Sequence, residues 1–131
     1  MSDESKLAYA SAVTTEHPIG GRIVTAHGDF HPGNIIDLGE EHDDAGIYRY
    51  KIADFEFTCV THAIHDISYG VCCSFMPDRV KAFLAGYLEE ATAREATDEE
   101  IRELHLEAEL YKLALWHSGG VLCPWLQAED T

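Results

Sequence analysis

AHGDFHPGNII at residues 26–36, followed at residues 51–57 by KIADFEF, decides how this chain folds. Pro32-Gly33 stops any helix from running through the first segment, because proline lacks the amide that a helix interior needs and glycine favours turns. Arg22-Ile23-Val24-Thr25 before it reads as a short strand, so His27, Asp29 and Asn34 fall in a loop at a strand end. Ile35-Ile36-Asp37-Leu38 reads as a second strand. Residues 47–53 read as its partner, with Tyr48, Tyr50 and Ile52 alternating against Arg49 and Lys51. The acidic GEEHDDAG between them is an exposed turn. Asn34 and Asp54 then stand at the ends of one hairpin, where their side chains can converge.

Outward from this hairpin the pattern turns helical. Residues 3–13 predict a short helix that His17-Pro18-Ile19-Gly20-Gly21 breaks. From residue 62 onward the expectation is helix. Val80, Phe83, Leu84, Tyr87 and Leu88 make an amphipathic face within residues 78–92. Thr97-Asp98-Glu99-Glu100 matches a capping box, and Ile101, Leu104, Ala108, Tyr111 and Leu115 form one stripe after it, ended by Gly119-Gly120. The expected fold class is α+β: a single domain over residues 1–131, a small hairpin carrying the loops of residues 26–56, and a helical remainder over 62–120.

Composition narrows the partners. With 131 residues, 46% hydrophobic and 25% charged, the chain can bury one core. Its 24 acidic and 9 basic residues give a formal charge of −15, which repels nucleic acid and anionic membranes and favours cations. Cysteines 59, 72, 73 and 123 form no C-x-x-C pair and have apolar neighbours, so buried free thiols in a reducing compartment are expected. No stretch is apolar enough to span a bilayer and no signal peptide is evident, which makes the cytoplasm the expected location.

The order H-x-D-x-x-x-x-N, with a second aspartate at the end of the next strand, suits phosphoryl transfer. That chemistry asks for one carboxylate to orient the attacking hydroxyl and accept its proton, and for oxygen ligands that hold magnesium on the phosphates. Asp29 can be the carboxylate, and Asn34 and Asp54 the hard oxygen donors. HGDFHPGNII followed by IADFEF closely resembles the catalytic and metal-binding loops of the aminoglycoside phosphotransferase and choline kinase family, relatives of the protein kinases. The resemblance implies a protein-kinase-like C-terminal lobe, with Asp29 as catalytic base, His27 as the residue bracing the loop, and Asn34 and Asp54 as magnesium ligands. It implies ATP and Mg2+ as cofactors and a small-molecule alcohol, cationic acceptors included, as substrate. Asp66 resembles the helical aspartate that steadies the catalytic loop, while Glu56 follows the metal aspartate without an assigned contact.

The family's glycine-rich loop and phosphate-binding lysine belong to an N-terminal nucleotide lobe, and the 26 residues before His27 hold neither. The expectation is a C-terminal lobe that is inactive alone, with a non-catalytic binding module of the same fold as the alternative. A third reading takes His27 and His31, at i, i+4 spacing, and the pair His65-Asp66 as ligands of a metal-dependent phosphohydrolase; Pro32-Gly33 argues against the helix this needs. Trp116, Trp125 and Tyr111 could offer a cation-π face, although core packing is the preferred role. His62, His105 and His117 are expected to be ordinary helical histidines.

Overall fold

The computed structural model describes residues 17–40, 49–72 and 77–117, with side chains described for all but 77 and 115–117. The expected helix over 3–13, most of the acidic turn, Cys73, Cys123, Trp116, Trp125 and Gly119-Gly120 lie wholly or in their side chains outside the described residues.

The chain enters through a turn that His17 closes: its Nδ1 accepts from the amides of Ile19 at 3.1 Å and Gly20 at 2.9 Å. Strand β1 (Ile23–Ala26) follows, one residue later than the sequence suggested. β2 (Ile35–Asp37) and β3 (Tyr50–Ile52) pair antiparallel, with Ile35 opposite Ile52 and Asp37 opposite Tyr50. Arg49 fastens this hairpin by donating to both carboxylate oxygens of Asp37, at 2.8 and 2.9 Å. All six strand residues are exposed, so the alternation of Tyr50 and Ile52 covers no core.

A further strand, β4 (Cys59–His62), takes in three residues given no element in the sequence reading and His62, the first residue expected to be helical; it pairs antiparallel with β1, with Ile23 opposite His62 and Ala26 opposite Cys59. Four residues are too few to carry a period, and the partner that makes CVTH a strand lies over thirty positions upstream. His62 is therefore a strand residue. Cys59, expected to be buried, is exposed at the end of this two-stranded sheet, and Cys72 is half-buried.

Helix α1 (Ile64–Cys72) starts against the entry turn, where Arg22 and Gly20 carbonyls accept from the Ala63 and Ile64 amides at 2.8 and 3.0 Å. α2 (Val80–Thr92), preceded by a 3-10 turn at Pro77–Arg79, buries Val80, Leu84 and Leu88. α3 (Asp98–His117) begins with the expected capping box: Thr97 Oγ1 accepts from the Glu100 amide at 3.2 Å, and Glu100 accepts from the Thr97 amide at 2.9 Å. Its stripe of Ile101, Leu104, Ala108 and Tyr111 joins Ile64, Ile67, Val71 and the buried face of α2 in one core. The described residues thus form an α+β fold of three helices and two small antiparallel sheets. No helix among them is long and apolar enough to cross a membrane.

Candidate active site

The loop after β1 is held by backbone demand. Gly28 has φ 89°, and a Cβ there would lie 2.0 Å from the Phe57 carbonyl oxygen, so no other residue fits without moving the chain. Its amide donates to Asp66 Oδ1 at 3.0 Å, and the His27 amide donates to Asp66 Oδ2 at 2.7 Å. One half-buried carboxylate in the first turn of α1 therefore ties down two successive peptide groups just before Asp29.

His65, next to Asp66, holds the same peptide from its other side. Its Nε2 lies 3.2 Å from the Gly28 carbonyl, which can only accept, so the proton is on Nε2 and the Tyr111 hydroxyl donates to Nδ1 at 3.1 Å. Burial first, then the Cys59 and Asp66 charges, push the Tyr111 hydroxyl up to about 12, so it remains a donor. This link from α3 to the loop was missed in the sequence, where His65 figured only in the less favoured phosphohydrolase reading and Tyr111 was preferred as a packing residue. A histidine beside the helical aspartate was the available signal.

His27 points its ring at the next strand end. Nε2 donates to the Ala53 carbonyl at 2.8 Å, which leaves Nδ1 to accept from the Asp29 amide at 3.3 Å. The Ala53 amide donates to the Asn34 carbonyl at 2.8 Å. Both polar groups of the residue before Asp54 are thus fixed to the loop, and the Phe55 ring rests 4.7 Å from the His27 ring. Asp54 itself has φ 63°, a left-handed conformation that costs a non-glycine residue roughly 1–2 kcal/mol, and its side chain is exposed.

Asp29 is 6% exposed. Its Oδ2 faces Asn34 Nδ2 at 3.4 Å and His31 Nε2 at 3.5 Å, while Asn34 Nδ2 also donates to the Asp29 carbonyl at 2.9 Å. His31 Nδ1 accepts from the Gly33 amide at 3.1 Å, capping the 3-10 turn Pro32–Asn34. Asp29 Oδ1 is buried and has no hydrogen-bond partner among the described residues. A carboxylate oxygen left so costs about 1–3 kcal/mol or more, a cost that a bound hydroxyl would remove.

With Nδ2 spent on Asp29, the Asn34 amide oxygen is its remaining donor, and Asp54, which follows the residue whose amide bonds the Asn34 carbonyl, carries an exposed carboxylate. Two hard oxygens suit an ion that keeps waters and phosphates for its other positions. Among the described residues no three His, Cys, Asp or Glu side chains gather as a metal cluster. The rings of His27, His31 and His65 are engaged in the loop as described. His105 is exposed on α3, 3.7 Å from Glu109, and Tyr111 is buried, so it offers no open cation-π face. No Lys or Arg forms an ion pair with Asp29, Asp54 or Asp66 among the described residues.

No protein-family profile matches the chain, and comparisons with curated proteins and with solved structures found no match.

Proposed function

We propose that the loop of residues 27–34 and the strand-end Asp54 form the catalytic part of an ATP- and magnesium-dependent phosphotransferase acting on a small-molecule hydroxyl. The fold would be the C-terminal lobe of the aminoglycoside phosphotransferase and choline kinase family, working in the reducing cytoplasm. The observation that carries this reading is Asp29: buried, held through Oδ2, and left with Oδ1 unpaired.

In the proposed reaction Asp29 Oδ1 accepts the hydrogen bond of the acceptor alcohol and then its proton, as the alcohol oxygen bonds to the γ-phosphorus and ADP departs. His27, His65 and Asp66 keep the loop from moving while this happens. Magnesium held by Asn34 and Asp54 would supply charge neutralisation on the phosphates. The remaining phosphate contacts come from a nucleotide-holding lobe, and the exposed Ile35, Ile36, Tyr50 and Ile52 are an apolar surface that such a lobe would cover.

The same exposed hairpin favours a second reading, a non-catalytic interaction module. Manganese titration followed by NMR separates the two. Under the first reading, resonances of Asn34 and Asp54 broaden before any others, and Asp54→Ala abolishes the effect. Broadening that is unchanged in Asp54→Ala, or that begins elsewhere, overturns the metal assignment and leaves the interaction module.

A further inference from the structure

A second cavity lies beside this loop without including Asp29, Asn34 or Asp54. Its volume is about 310 Å3, and its walls include Phe30, Ile52, Phe55, Phe83, Tyr87 and Asp66. Small-molecule sites begin at about 300 Å3, so the space suits one aromatic ring with a short chain.

The walls indicate what kind of molecule. Four aromatic side chains reach the cavity from three places in the chain: the loop, the segment after β3, and α2. Ile52 and Phe55 are 47% and 57% exposed, so an apolar occupant would remove from water surface that the fold leaves uncovered. Among the described residues Asp66 is the sole acidic group lining the cavity. Each of its oxygens accepts one backbone amide, and no Lys or Arg among the described residues pairs with it. Arg22, whose charge acts on Tyr87, donates instead to the Pro18 and Ala91 carbonyls. An uncompensated carboxylate in an apolar wall attracts a cation and repels an anion.

We propose that this cavity binds a small aromatic cation, a single ring bearing a protonated amine, with the ring among Phe30, Phe55 and Phe83 and the ammonium toward Asp66. His27 lines the cavity as well. Both residues that the ligand meets at its polar end thus also hold the loop of Asp29, so occupancy steadies that loop. The proposal is independent of the chemistry assigned to Asp29.

The test is an NMR titration of the full chain with phenethylammonium, with 2-phenylethanol and phenylacetate as neutral and anionic counterparts. Saturable shifts are expected at Ile67, Phe83 and Tyr87, with the ammonium bound about tenfold more tightly than the alcohol and phenylacetate weakest. Asp66→Asn should bring the ammonium down to the affinity of the alcohol, and Phe55→Ala should weaken both. If Asp66→Asn fails to fold, the ammonium's advantage is read on the wild-type chain as a preference that salt erodes. Equal affinities for ammonium and alcohol, absence of saturation, or shifts confined to other residues overturn the proposal.

Discussion

Asp66 accepts from two amides that have no other partner in their turn, so its removal strands both donors at once. Asp66→Ala is expected to lower stability by about 2–4 kcal/mol, two charge-assisted bonds at half-burial, measured as a fall in the urea midpoint. Asn keeps one acceptor oxygen and should fall between; a loss for Ala within error of zero would mean that the loop is held by His27 and His65 alone. Asp29 carries the functional prediction at this scale. In an enzyme completed with a nucleotide lobe, Asp29→Asn should lower kcat by about 10²–10⁴-fold and leave the KM for ATP nearly unchanged, because the carboxylate acts on the alcohol. A change confined to the KM for ATP would make Asp29 a binding residue.

Helix ends show where local sequence suffices. Ala93 closes α2 in a left-handed conformation with φ 55°, donating its amide to the Glu89 carbonyl at 2.8 Å, a position that suits glycine. Ala93→Gly should stabilise the fold by about 0.5–1 kcal/mol after the added freedom of the unfolded chain is counted, seen as a higher Tm. At the start of α3, Arg94 first and the Thr97 amide second hold the Glu100 carboxyl down at about 2. Since that lies below the ordinary value of about 4.3, the cap contributes fully above the unfolded value and is lost as pH falls toward 2. An NMR titration of the Glu100 carboxyl should show this low midpoint, and Glu100→Gln should remove its share of the acid dependence of stability. The capping box, the apolar face of α2 and the stripe of α3 were legible because each is written within a dozen residues. β4 was not, since the residues that make Cys59–His62 a strand are those of β1. The positions of Asp29, Asn34 and Asp54 in loops could be read from Pro32-Gly33 and the hairpin pattern. The grip of His65 depends on contacts with Gly28, 37 positions away, and Tyr111, 46 positions away, which no local pattern encodes.

Over the whole molecule, charge and catalysis pull apart. The chain carries −15, and none of Asp29, Asp54 and Asp66 is ion-paired with a Lys or Arg among the described residues. Lys81 is bound to Asp98 at 2.8 Å and Arg49 to Asp37 at 2.8 Å, both away from the loop, so neither is spare for a triphosphate. Phosphoryl transfer draws nearly all its catalysis from positioning and from neutralising phosphate charge. If, as proposed, Asp29 is the acceptor's base and magnesium the sole hold on the phosphates, these 131 residues by themselves are expected to phosphorylate no alcohol at a measurable rate. Raising salt should not rescue them, because screening weakens repulsion without supplying a ligand for the phosphates. The measurement is ATP consumption against choline, ethanolamine, homoserine and aminoglycosides, with Asp29→Asn as the blank, repeated after adding a separately produced nucleotide lobe. Turnover that appears only with the added lobe and vanishes in Asp29→Asn is the expected result. Turnover by the chain alone, abolished by the same substitution, would mean that its own residues hold the phosphates, and the division of labour between two lobes would fall.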